Sequence, residues 1–448
     1  MIPPWNFSLA IPCGMAVAAL ACGNAAILKP AGQTPVVASR LVALLHEAGV
    51  PEDVVRCLPG AGSSAGQALV DDPRVAMVAF TGSRAVGTAI HRAVSRRPSP
   101  SGRPRDLVAE MGGKNPAIVF ADSDLDEAVE GIIHSAFDHA NQKCSAVSRV
   151  LVERAVYVRF RERLVAAAAS LVCGPAEHPG TQINPVIDRR ASERLMEAAR
   201  VARSEGRVLL DRFEPATGTL VHGPLIVEIG LAKARTATTA TEELFGPILV
   251  LTPFDDEADA YRLANATAYG LTSAVFSRSP DRIARASAAI EAGHVYVNRT
   301  STAARPGVEP FGGMKFSGTG PKVGHADYLW AFLERVTESG DGGAPMVEGG
   351  APPSLTPARW DTPLPERIEV LSRAGLLLGP RGRDLLASAA AELGPTPTVQ
   401  VAGQDTEVVH DTPRGLGVVS ARGEDAALWL IAPLVAGNAV VVVDSPDL

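Results

Sequence analysis

The first hundred residues alternate short apolar runs with amphipathic ones, and few folds accept that order. Strands are read at residues 25–29, 54–58 and 75–80, and helices at 34–48, 63–70 and 84–94. Strands that alternate with helices point to a doubly wound parallel sheet, because a parallel pair needs a crossover long enough to hold a helix. Thr34-Pro35 sets an N-cap before a proline at the first helical position, and Gly49 follows as a stop. A second series runs from Leu107 to about residue 336. It has helices at 125–139, 155–171, 192–204, 257–264 and 280–289, and strands at 117–120, 150–152, 248–252, 273–276 and 294–298.

Composition narrows the function classes. The chain carries 42 basic and 49 acidic residues, a formal charge of −7. That balance lacks the basic footprint of a nucleic-acid binder. With 46% apolar and 20% charged residues the chain is not globally disordered. Five cysteines make no disulfide framework and point to a reducing, cytoplasmic compartment. Residues 9–28 are almost uncharged and long enough to span a bilayer. Pro12, Gly14, Gly23 and Asn24 interrupt them, so they are read as a buried helix at 12–22, a Gly-Asn turn and a strand, with no membrane span. Residues 91–105 gather Arg92, Arg96, Arg97, Arg103 and Arg105 among Pro and Ser, and are read as a solvated loop rather than a phosphate site.

Residues 338–364 turn to Gly, Pro and Ser and read as a linker. Beyond it, 435–442 (VAGNAVVV) repeats the pattern of 21–28 (ACGNAAIL), each after an apolar helical run. This is either a decayed duplication or a generic helix–Gly–Asn–strand unit, and the chain reads as cut short after it.

Three segments carry candidate chemistry. Cys144 stands at an element junction with a lysine beside it, a setting for an activated nucleophile, although taken alone such a cysteine is more often a buried structural thiol. Glu110 ends an apolar strand and precedes Met111-Gly112-Gly113-Lys114, where glycines allow close backbone approach to a general base. Phe80-Thr81-Gly82-Ser83 ends a strand and opens a helix, whose N–H groups suit a pyrophosphate, although the spacing is not G-x-G-x-x-G.

The order of motifs is more specific than any one of them. Pro4-Trp5-Asn6-Phe7, Lys29-Pro30, Phe80-Thr81-Gly82-Ser83, Glu110-Met111-Gly112-Gly113-Lys114, Gln142-Lys143-Cys144, Glu243-Leu244-Phe245-Gly246-Pro247 and Pro310-Phe311-Gly312-Gly313 follow one another. This set resembles the aldehyde dehydrogenase superfamily over residues 2–337. Asn298-Arg299 and Ser317-Gly318-Thr319-Gly320-Pro321-Lys322 look most like the branch that oxidises L-glutamate γ-semialdehyde, the second step of proline degradation. That branch includes the dehydrogenase half of bifunctional proline-utilisation flavoenzymes.

The resemblance implies an α/β fold: a Rossmann-type cofactor domain and an α/β catalytic domain, with a partial, degenerate copy at the C-terminus. Residues 1–115 would form part of the NAD domain and 116–310 the catalytic domain. Residues 311–337 would return to the cofactor domain with the substrate loop and an oligomerisation strand, and 365–448 would form the degenerate unit. It makes Cys144 the nucleophile, Glu110 the base and Asn6 an oxyanion donor. Trp5, Lys29, Thr81, Gly82, Ser83, Glu243 and Phe245 become cofactor residues. Ser145, Ser317, Gly318, Thr319, Gly320 and Gly324 become substrate residues. The cofactor would be NAD, with NADP not excluded, and no metal is expected. The full-length form would be a homo-oligomer, with a proline dehydrogenase domain possible upstream.

Four departures stand out. Gly32 occupies a place that is usually acidic in this family, which leaves NAD against NADP open. Asn141 replaces a common glycine before the nucleophile, and His325 another in the substrate loop. Complete members carry well over a hundred residues before Pro-Trp-Asn, so the resemblance implies an N-terminally truncated member. An inactive remnant, or a member with another aldehyde substrate, is the competing reading.

Overall fold

The computed structural model describes residues 1–333 apart from 101, 303, 306 and 307, and beyond them four short strands at 400–401, 404–405, 416–419 and 439–442. The chain divides into two units, Met1–Glu334 and Arg335–Leu448. The linker expected at 338–364 and most of the C-terminal repeat lie outside the described residues.

The first unit opens with α1 (Ala10–Ala21), β1 (Ala26–Leu28), α2 (Pro35–Glu47), β2 (Val55–Cys57), α3 (Gln67–Asp71), β3 (Met77–Thr81), α4 (Arg84–Arg96) and β4 (Asp106–Glu110). β1 pairs with β2 and β3 with β4, both in parallel. Met1 and Ile2 join the two pairs. Met1 N donates to Ile27 O, Lys29 N to Met1 O, Ile2 N to Ala79 O and Thr81 N to Ile2 O. On the far edge of β4, Met111 N donates to Ser317 O and Thr319 N to Ala109 O. The two pairs are thereby joined side by side, with the parallel strands β1, β3 and β4 ending at Leu28, Thr81 and Glu110 and Lys29 directly after β1. Ligands of open α/β sheets bind off such carboxyl ends.

Residues 91–96 belong to α4, which corrects the reading of 91–105 as loop throughout. Arg105 is buried and donates to Val75 O and Val70 O, so it braces the fold rather than facing a phosphate. α1 has 12 residues, and among the described residues no helix is long and apolar enough to cross a membrane.

The second layer system contains β5 (Asn115–Val119), α5 (Leu125–Phe137), β6 (Val147–Glu153), α6 (Arg154–Ser170), α7 (Arg189–Glu205), β7 (Arg207–Asp211) and β8 (Leu225–Glu228). It continues with α8 (Leu231–Ala234), α9 (Thr238–Thr241), β9 (Ile248–Phe254), α10 (Glu257–Asn265), β10 (Tyr269–Gly270), β11 (Thr272–Phe276), α11 (Pro280–Ala289), β12 (His294–Val297) and β13 (Met314–Lys315). Seven strands form a sheet in the order β12-β11-β5-β6-β9-β8-β7, all parallel except β7 against β8. Its central strands are buried along their whole length, as strands covered on both faces must be. Phe120, Phe160, Phe254 and Phe276 fill its faces. Burying one such side chain is worth about 1.5–3 kcal/mol.

In the second unit, Leu416–Val419 and Ala439–Val442 pair in parallel. The 439–442 strand therefore has a parallel partner, as its counterpart β1 does in the first unit.

Candidate active site

The site grows from the turn between the two sheets. β4 ends on Glu110, and after four intervening residues β5 begins at Asn115. Glycine is required between them. A Cβ on Gly112 would fall on the Glu243 carboxylate, and one on Gly113 would lie 2.5 Å from Cys144 O. The bare backbone lets Gly113 N donate to Glu243 Oε1 at 2.9 Å. Arg149 anchors the turn from behind. Fully enclosed, it donates to Lys114 O and to Leu263 O and Ala264 O, carbonyls at the end of α10. The negative end of that helix takes the place of a carboxylate partner. Burial still pulls the guanidinium down to about 9.

The loop that carries Cys144 leaves α5 through a tight reversal. His139, Ala140 and Asn141 have φ of 58°, 52° and 60° in succession. Asparagine tolerates that left-handed region better than most residues, which explains how Asn141 replaces glycine there. Its buried amide also donates to Ala136 O at 2.6 Å and Val147 O at 2.9 Å, fastening the loop at both ends. Asn141→Ala is expected to cost about 2–4 kcal/mol, from left-handed strain and two buried carbonyls left unpaired. Asn141→Gly keeps the backbone and should cost less than Asn141→Ala; urea denaturation checks both.

Two more amides complete the clamp. Gln142 Oε1 accepts from Ile187 N, and Asn115 Nδ2 donates to Cys144 O at 2.7 Å. Asn6, from the Pro-Trp-Asn-Phe segment, donates through Nδ2 to Gln142 O at 2.9 Å. A second N–H on the same nitrogen is left to point elsewhere. Of these amides only Asn6 is expected from the sequence, as an oxyanion donor; nothing in the sequence marks Asn115 or Gln142 as a clamp, and the run Asn141-Gln142 before Cys144 is the available signal.

Negative charge is disfavoured throughout this crevice. Cys144 is only partly exposed, and burial, aided by the Glu243 and Glu110 carboxylates, pushes its thiol up to about 12. Backbone N–H groups of Ser145 and of Cys144 itself act in the opposite direction. Glu110 is buried and lies far above the usual carboxylate range, because the Gly313 N–H and the Lys322 charge offset only part of its desolvation. Burial also raises Glu243 to about 7. Lys114 is lowered to about 7 by burial and by Arg149, against the pull of Glu243, and its Nζ has no hydrogen-bond partner among the described residues.

The structure therefore brings Cys144, Glu110, Glu243 and Asn6 into one region, with Trp5 edge-on to Phe245 at 5.7 Å. Lys29 and Ser83 lie along the same sheet's carboxyl ends. Lys29 is buried beside Gly66 and donates to Pro30 O. Ser83 caps α4 by accepting from Val86 N, and Gly82 N donates to Glu110 O. In the glycine loop, the Ser317 and Thr319 hydroxyls face inward. Ser317 Oγ donates to Gly112 O and accepts from Gly270 N, and Thr319 Oγ1 accepts from Ala109 N. These two side chains hold the loop. Gly318 packs so closely that a Cβ would lie 2.9 Å from Glu110 Oε1. Gly324 needs its φ of 81°, while His325 turns out to cap the next turn through Asp327 N.

The residues expected to hold the cofactor pass a simple test of fit. The first N–H groups of α4 have no intrahelical partner and open beside Ser83, where they suit a pyrophosphate. Glu243 offers a carboxylate suited to ribose hydroxyls, and the Trp5–Phe245 pair an apolar wall for a planar ring.

Comparison with known proteins gives the family. The aldehyde dehydrogenase family profile matches residues 1–337. A 1-pyrroline-5-carboxylate dehydrogenase of Halalkalibacterium halodurans is 39% identical over 340 residues, covering 75% of this chain and 65% of that protein. One from Bacillus subtilis is 38% identical over 341 residues, covering 76% and 65%. Among solved structures, a Thermus 1-pyrroline-5-carboxylate dehydrogenase with bound NAD aligns with a TM-score of 0.71 at 38% identity, covering 74% of this chain and 64% of that one. Proline utilization A from Bdellovibrio bacteriovorus aligns with a TM-score of 0.71 at 42% identity, covering 74% and 34%. The chain thus spans about 65% of the length of the dehydrogenases it matches. On its motifs, its fold and these matches, the chain belongs to the aldehyde dehydrogenase family.

Proposed function

We propose that this chain carries the active region of an NAD-dependent L-glutamate γ-semialdehyde dehydrogenase, and that Cys144 and Glu110 divide the reaction between them. What supports this most is the convergence of a thiol and two desolvated carboxylates on one crevice beside a helix N-terminus. The names of the relatives support the substrate, and the NAD-bound Thermus structure supports NAD over NADP. The likeness to proline utilization A fits either a stand-alone enzyme or one half of a bifunctional chain. All five cysteines are free, in keeping with a reducing, cytoplasmic setting.

Cys144 Sγ, once deprotonated, bonds to the aldehyde carbon, and the carbonyl π pair moves to oxygen. The spare N–H of Asn6 and the Cys144 backbone N–H hold that oxyanion. Lys29, the Thr81-Gly82-Ser83 turn, Trp5, Glu243 and Phe245 hold NAD, which supplies the acceptor for the hydride lost as the thioester forms. Glu110 then takes a proton from water as its oxygen bonds to the thioester carbon, and the carbon–sulfur bond breaks to return Cys144. The substrate's α-carboxylate is taken by Ser145 and by backbone N–H groups of the loop containing Gly318, Gly320 and Gly324, which Ser317 and Thr319 hold in place.

The test is absorbance of reduced NAD. The purified chain is expected to reduce NAD with glutamate γ-semialdehyde at a kcat/KM at least about tenfold above that for a short aliphatic aldehyde, the advantage of a bound carboxylate. Equal rates would remove the substrate assignment. No reduction with either would remove the enzyme reading.

A further inference from the structure

The carbonyls that follow the nucleophile are each held by a side chain. Asn115 Nδ2 grips Cys144 O at 2.7 Å and Ala146 O at 2.9 Å. Thr272 Oγ1 and Ser301 Oγ donate to Ser145 O at 3.0 Å and 2.8 Å, and Asn141 Nδ2 to Val147 O. Loops are seldom fixed so fully, and the residue that reaches the reacting peptide is Asn115. It is 1% exposed, it opens β5 beside the glycine turn, and its Oδ1 accepts from Thr272 N, so its amide cannot rotate freely.

A trans peptide is planar, with its carbonyl and N–H pointing in opposite directions. The carbonyl of Cys144 and the N–H of Ser145 belong to one such plane. Asn115 holds the first, and the second is a backbone donor that favours the Cys144 thiolate. We propose that Asn115 is a positioning residue: by gripping the Cys144 carbonyl it fixes the 144–145 peptide plane and so aims the Ser145 N–H at the nucleophilic sulfur. Its amide is spent on the Cys144 and Ala146 carbonyls and the Thr272 N–H, so it acts through the peptide it holds. The proposal rests on Cys144 being the nucleophile, and deepens that assignment by naming what holds the thiolate's donor in place.

The experiment is alkylation of Cys144 by iodoacetamide in the full chain. It is followed across the alkaline pH range by mass spectrometry of the Cys144 peptide, so that the other four cysteines do not interfere. Asn115→Ala frees the plane and should raise the apparent Cys144 pKa by about one unit, slowing alkylation about tenfold at a fixed pH below it. Asn115→Ser restores one donor and should recover part of the rate. Thr272→Val loosens the neighbouring 145–146 peptide without touching this plane, and should stay within about twofold of wild type. An unchanged pH profile in Asn115→Ala, or an equal shift in Thr272→Val, would overturn the proposal. Should Asn115→Ala unfold, its Cys144 would react as an ordinary thiol, and Asn115→Ser then decides: a raised pKa supports the proposal and a wild-type profile overturns it. Survival of turnover in Cys144→Ser would instead overturn the nucleophile assignment, whatever the alkylation rates.

Discussion

Cys144→Ser is expected to lower kcat by roughly 10⁴-fold or more, the scale seen when a covalent nucleophile is lost. The reason is specific to this crevice. Burial and two carboxylates already hold a thiol at about 12. A hydroxyl starts from a far weaker acidity, so the same surroundings leave it neutral at any working pH. The fold should not suffer, because the clamp on the loop uses the Cys144 carbonyl and not its sulfur. Reduced NAD should bind the variant with wild-type affinity while steady-state turnover disappears. A variant that still turns over would put the nucleophile elsewhere.

Glu110→Gln should divide the reaction in two. Acyl transfer to Cys144 needs no carboxylate at 110, whereas hydrolysis does, so a burst of one reduced NAD per site should precede a steady rate lowered by roughly 10²–10⁴-fold. Stability should move the other way. The folded chain holds a proton on Glu110 over a range where the unfolded chain has released it, because burial raises the folded value. Wild-type stability therefore falls as pH rises from the usual carboxylate value through the raised one. Glutamine carries no such burden. The variant should melt above wild type at neutral and alkaline pH, and the gap should close in acid, as thermal scans across pH would show. In wild type the deacylation rate should rise with pH through the raised Glu110 value; in the variant that limb should vanish.

How much of this could be read in advance depended on the length and the surroundings of each segment. α11 falls at the expected residues, and α2 begins at the expected proline, because a proline at N1 and an amphipathic period are local signals. Thr34, expected as the cap of α2, makes no side-chain cap bond. Met1-Ile2 is too short to show a period, yet its backbone bonds, with an isolated bridge from Ile2 to Phe80, join β1 to β3. β7 and β8 were absent from the reading. β7 is an antiparallel edge strand that lies partly exposed, and such a strand lacks the continuous apolar run of its buried neighbours. At 63–70 a helix was expected, and a π-helical turn at Gly62–Gly66 replaces its first half. Candidate residues could be named where residue type and order suffice, as for Cys144 and Glu110, which the structure brings into one crevice. They could not be named where roles come from contacts between distant residues. The Asn115 amide lies 29 positions from the carbonyl it holds, and the hydroxyls of Ser317 and Thr319 are taken up by backbone groups of Gly112 and Ala109, some two hundred positions away.

The most direct test of the central claim is the mass of Glu110→Gln taken from that burst. Incubated with NAD and glutamate γ-semialdehyde and then quenched in acid, the chain should gain one glutamyl group, and digestion should locate it on the peptide containing Cys144. An acyl group on another residue, or steady turnover with no covalent adduct at all, would contradict a thioester at Cys144 that Glu110 is needed to release.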